Sequence, residues 1–165
     1  MKRTSIVGMD TFTTELIEEW IDEDRVSEWE LTHDTDHGFT YRIKLHHIPV
    51  VMWVESYGPS LKIETEVGVD PAVLANLLER EQAFAQFRTE LMVVLTQVRG
   101  IYAFLDDERN TTDLENMRTI LLRYAMYPDG ASQHLFMESM YALASANLYL
   151  NSRPEDIVEP FEERT

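Results

Sequence analysis

The run Tyr127-Pro128-Asp129-Gly130-Ala131-Ser132-Gln133-His134 brings an aspartate, a serine and a histidine close together. A nucleophilic relay needs a serine hydroxyl within hydrogen-bond reach of an imidazole that is itself held by a carboxylate. Two residues apart on a helix, Ser132 and His134 project about 200° from each other at 3.6 residues per turn, so they cannot form that relay locally. Ser132 reads instead as the cap of a helix, with Asp129 and Gly130 making the turn before it.

Metal binding is the next chemistry to consider, through His33, Asp34, Asp36 and His37 or through the neighbours His46 and His47. A zinc site needs three or four convergent ligands. The first group lies in a turn with no second ligand set nearby in sequence, and adjacent residues of an extended chain point to opposite sides. Asp106, Asp107 and Glu108 lack the Asp-x-Asp-x-Asp-Gly order of a calcium loop and read as a solvated turn. No phosphate-cradling glycine motif or dinucleotide fingerprint is present. The reading therefore assigns no catalytic, cofactor-binding or metal-ligating residue and expects no cofactor.

Composition narrows the partners. The 165 residues carry 30 acidic against 14 basic side chains, a formal charge of −16. Such a surface repels phosphate backbones and anionic headgroups, which disfavours nucleic acid and membranes. It suits a basic or apolar protein partner, and it also suits a protein that stays hydrated in concentrated salt, as halophilic proteins do. Cysteine is absent, which excludes disulfides and thiolate metal sites. No run is apolar enough for a signal peptide or a membrane span, so the expectation is an intracellular, cytoplasmic protein.

The elements that would position these residues follow from periodicity. Phe12, Leu16, Ile17, Trp20 and Ile21 share one face of a helix opposite Glu15, Glu18, Glu19 and Asp22. Four alternating strands follow: Trp29 and Leu31; Phe39, Tyr41, Ile43 and Leu45; Val50, Met52 and Val54; and Leu61, Ile63, Thr65 and Val67. They form an antiparallel meander. In the third, Val51 and Trp53 are apolar on the second face too, which predicts either cover on both sides or a partner. Asp70 and Pro71 open a long helix, bent or broken near Glu81 and ending at Gly100. Ile101–Leu105 and the stretch through Met126 read as a strand pair, and a last amphipathic helix starts at Ser132. Residues 1–10 form an N-terminal segment, 11–151 a single α+β domain, and 152–165 an acidic, flexible tail with two prolines.

Surface is what remains for function. Met52 and Trp53 on the third strand, with Met137, Tyr141 and Tyr149 on the last helix, are aromatic and sulfur side chains suited to an adaptable protein interface, and they are the candidate partner-binding residues.

Leu16–Asp24 (LIEEWIDED), the strand FTYRIKL, the helix FAQFRTELMVVL and the stretch MYPDGASQHLFMESMYAL from Met126 resemble an uncharacterised archaeal protein family with a type III secretion chaperone-like fold, and also the YbjN-like proteins. The resemblance covers about residues 12 to 150. It implies a small α+β domain that commonly dimerises and binds segments of other proteins along helices or sheet edges. The expected function is a non-catalytic, chaperone-like or adaptor-like protein-binding module, a homodimer. Its rivals are a hydrolase or metal-dependent enzyme joining His46 or His134 to Asp106 or Asp129, and a regulatory domain whose tail Ile157-Val158-Glu159-Pro160-Phe161 docks on a partner or on its own sheet.

Overall fold

The computed structural model describes residues 11–162, with side chains described through Glu159; the N-terminal segment 1–10 of the sequence reading lies outside the described residues. Helix α1 (Thr14–Trp20) begins where the Thr13 hydroxyl accepts a hydrogen bond from the Leu16 amide at 3.2 Å. It buries Ile17 and Trp20, and the Trp20 ring meets Phe12 edge-on and Phe136 at a tilt. Strands β1 (Val26–Thr35), β2 (Gly38–Leu45), β3 (Val51–Ser56) and β4 (Leu61–Gly68) then form the expected antiparallel meander.

Asp70 caps α2 (Pro71–Leu78) by accepting from the Ala72 amide at 2.8 Å, with Pro71 in the first turn, where its missing N–H has no intrahelical partner to lose. Arg80 is extended and separates α2 from α3 (Glu81–Gln97), which is the break expected near Glu81. Helix α3 buries Ala83, Phe87, Leu91 and Leu95, a strict four-residue spacing along one side. The chain then makes β5 (Ile101–Leu105), a short 3-10 turn at Leu114–Asn116, β6 (Thr119–Met126) and α4 (Gln133–Glu162). Ser132 caps α4, accepting from the Leu135 amide at 3.1 Å.

The result is an α+β domain with one six-stranded antiparallel sheet in the order β1-β2-β3-β4-β6-β5. The two-helix excursion carries the chain to the far edge, and β6 returns to lie beside β4. Phe39, Tyr41, Ile43, Met52, Val54, Leu61, Ile63, Leu122 and Ile120 fill the inner face. On the other face Arg42, Lys44, Lys62 and Glu64 are half-buried and Trp53 is exposed. One face is therefore covered, chiefly by α4 lying across β4 and β6.

Two expectations are corrected and one is narrowed. Strand β1 is a sheet edge whose register shifts twice, and Trp29 stands 41% exposed against Tyr41 instead of half-buried in an alternating strand. Among the described residues no further layer covers the second face of β3, which leaves the other expectation there, a partner. The tail is not a loose appendage: α4 runs through residue 151 to Glu162, because Ile157 and Val158 extend its apolar stripe into the same core cluster while Glu155, Asp156 and Glu159 face solvent.

Candidate functional site

Helices α3 and α4 pack side by side, and their contact is incomplete. Where α3 presents Val93, Val94 and Gln97, α4 presents the small residues Ala142, Ser145 and Ala146, so the facing side chains do not fill the space between the axes. The gap is an open groove of about 560 Å³ with a largely apolar lining, closed at one end by Tyr149. Val93 is half exposed, and Met92 beside it extends the apolar surface onto the outer side of α3. Past Val98 and Ala142 the groove continues into a hollow of about 330 Å³ bounded by Tyr124, Leu135, His134 and Glu138.

A clasp holds the two helices at the Tyr149 end. Arg153 donates from Nε to Glu90 Oε2 at 2.6 Å and from Nη2 to Oε1 at 2.8 Å, a bidentate pair, and the Tyr149 hydroxyl donates to Oε2 at 3.3 Å. The Arg153 hydrogen bonds hold the Glu90 carboxyl below its ordinary range against the opposing effect of burial.

A second opening lies in the sheet. Strands β3 and β4 pair from Trp53 to Glu55 and then part, so Val51 has no partner opposite Glu66. Asn147 of α4 reaches into this parting: its amide donates to Thr65 Oγ1 at 2.6 Å and to the Glu66 carbonyl at 3.0 Å, while Thr65 donates to the Val51 carbonyl at 3.0 Å. Backbone groups that a ladder would have paired are satisfied by two side chains.

The five residues singled out by sequence do not form one patch. Met52 (0% exposed) and Met137 (3%) belong to the core and present no surface, a correction to their selection; Met52 points inward with Val54, and Met137 joins the same core cluster. Tyr141 is half-buried with the Arg25 guanidinium 5.9 Å above its ring. Trp53 stands 37% exposed on the outer sheet face between Arg42 and Glu64, and Tyr149, 42% exposed, lines the α3–α4 groove. Sequence reading missed Val93, Ala142 and Asn147. The available signals were apolar residues off the main stripe of α3, small residues on α4, and one asparagine inside an apolar stripe.

The residues named for a hydrolase have other places in the fold. Asp106 accepts from the Glu108 and Asn110 amides and so builds its own turn. His134 lines the hollow beside Glu138, where neither Asp106 nor Asp129 contributes. Among the described residues no group of three or more His, Asp or Glu side chains is arranged to hold a metal ion. None of the described helices is long and apolar enough to cross a membrane.

No family model matches the sequence, and no curated protein matches it. Among solved structures the chain is similar to an uncharacterized protein from Methanothermobacter thermautotrophicus, with a TM-score of 0.59 and 16% identity over 91% of this chain and 96% of that one. At that identity the likeness concerns the fold, and it is consistent with the resemblance to an uncharacterised archaeal family.

Proposed function

We propose that the protein is a non-catalytic binding module, chaperone-like or adaptor-like, that takes a segment of a partner protein. The observation that carries this reading is the open apolar groove between α3 and α4, flanked by exposed Met92, Val93 and Tyr149. An amphipathic helix laid along such a groove buries its apolar face against the valines and fits the space left by the alanines. The finer fold reading that accompanies it, type III secretion chaperone-like and YbjN-like, rests on the order of helix, meander, two helices, strand pair and helix. Function does not follow from that fold, so the groove carries the weight. The homodimer that the resemblance implies belongs to the same proposal.

The test is affinity capture of the tagged protein from its native extract at matched ionic strength, with mass spectrometry of what is retained. Light scattering of the pure protein runs alongside. A stoichiometric partner is expected with the unaltered protein and is lost from Val93→Glu, a substitution at an exposed position that leaves circular dichroism unchanged. A partner kept by Val93→Glu, or none at all, overturns the reading. Light scattering is expected to give twice the 19.3 kDa chain mass; a monomer removes the dimer without touching the groove.

A further inference from the structure

The parting of β3 from β4 opens a hollow of about 300 Å³, bounded by Pro49 and Val50 before β3, by Val51 and Trp53 of β3, by Glu66 of β4, and by Asn147, Leu148 and Asn151 of α4. Asn147 is 8% exposed. Its Nδ2 contacts the Glu66 carbonyl, which can only accept, and this fixes which end of the amide is the nitrogen. Both donors are then used, on Glu66 and on Thr65, and among the described residues no donor meets Oδ1. No fully buried side-chain oxygen or nitrogen among them lacks a partner, so this Oδ1 is open to solvent, and the hollow is the space Asn147 lines. The walls carry no lysine, arginine or histidine. They offer an unpaired carbonyl oxygen, an accessible indole, and the Glu66 carboxylate, whose two oxygens each accept from Arg109 and each retain a further acceptor site.

We infer that this hollow receives the guanidinium of an arginine carried on the partner's polypeptide segment. The inference rests on the binding-module reading and names the chemistry of its partner. A guanidinium is flat, stacks on an indole, and presents several N–H donors at fixed angles to acceptors such as Asn147 Oδ1 and Glu66. A chain of charge −16 draws such a group in. The hollow reads one side chain, while the α3–α4 groove takes the apolar face.

The test is titration of the ¹⁵N-labelled full chain with acetyl-Gly-Gly-Arg-Gly-Gly-amide and with its citrulline counterpart, which keeps the shape and removes the charge. The Trp53 indole N–H and the Asn147 side-chain amide signals are expected to shift saturably with the arginine peptide and about ten-fold more weakly with citrulline. Leu148→Lys, which sets a cation at the exposed rim, is expected to weaken the arginine peptide by about ten-fold with the rest of the spectrum unchanged. Equal response to the two peptides, shifts that never saturate, or shifts spread over the acidic surface overturn the inference. Free arginine amide binding as tightly as the peptide would make this a small-molecule site and overturn the assignment to a polypeptide. The groove is read separately: Val93→Glu leaves this titration unchanged, so either proposal can fail alone.

Discussion

Tyr41 shows how a single side chain ties the first helix to the sheet. It is fully buried on β2, and its hydroxyl donates to Glu18 Oε1 at 3.1 Å, with the Thr14 carbonyl at 3.4 Å. Burial, followed by the hydrogen bond to Glu18, holds the phenol proton far more tightly than in a free tyrosine. The folded pKa is raised above its unfolded value of about 10, so the contribution is complete below about pH 10 and is lost as pH rises past it, where only the unfolded chain releases the proton. Tyr41→Phe is expected to lower stability at neutral pH by about 1 kcal/mol through the lost hydrogen bond, and to fall less steeply between about pH 9 and about pH 11. Urea midpoints at a series of pH values check this; parallel curves for the two proteins would contradict it. Glu90 carries the opposite sign. Its carboxyl is held low by Arg153, so its contribution is present above the ordinary carboxylate range and is lost as pH falls through the lowered value.

Among elements, the end of α4 shows most plainly what local composition conceals. Two prolines and a run of carboxylates read as a disordered tail, yet Ile157 and Val158 are buried, and the Val158 carbonyl accepts from Arg80 at 3.4 Å. Deleting residues 153 to 165 is expected to lower stability by about 3 kcal/mol or more, from two buried aliphatic side chains at about 1.5–3 kcal/mol each. Urea unfolding measures it, and an unchanged midpoint would return the segment to the status of a tail. The strands were easier to read. Alternation in Phe39–Leu45 and Leu61–Val67 reports a sheet with one wet face, and the capping signals at Asp70 and Ser132 mark true helix starts. Alternation does not say which strand is the edge, and Trp29 on edge strand β1 is therefore more exposed than its pattern implies. Residue type does not say which way a methionine points, and Met52 and Met137, though suited to an interface, point into the core. The groove was illegible because it depends on small residues of α4 meeting valines of α3 about fifty positions earlier in the chain, a relation no local pattern contains.

For the molecule as a whole, charge decides how stability responds to salt. Most of the described ion pairs reach solvent, which weakens them, while the carboxylates far outnumber the cations that could meet them. Raising sodium chloride from about 0.01 M to about 1 M shortens the screening length from about 30 Å to about 3 Å and relieves that repulsion. The midpoint of thermal unfolding is therefore expected to rise by about 2–8 °C in calorimetry, on the scale of about 1–2 kcal/mol for a chain of this size; a fall would mean that the pairs outweigh the repulsion. Helix α4 has a further consequence, in time instead of space. It covers the inner face of β4 and β6 and packs on α2 and α3, yet it is the last of the described elements to be translated. At about 5–20 residues per second the ribosome needs seconds to add its thirty residues, and through that interval the nascent sheet has no lid. Closure of that sheet face waits on α4, and until then its apolar side chains are open to the contacts that lead to aggregation.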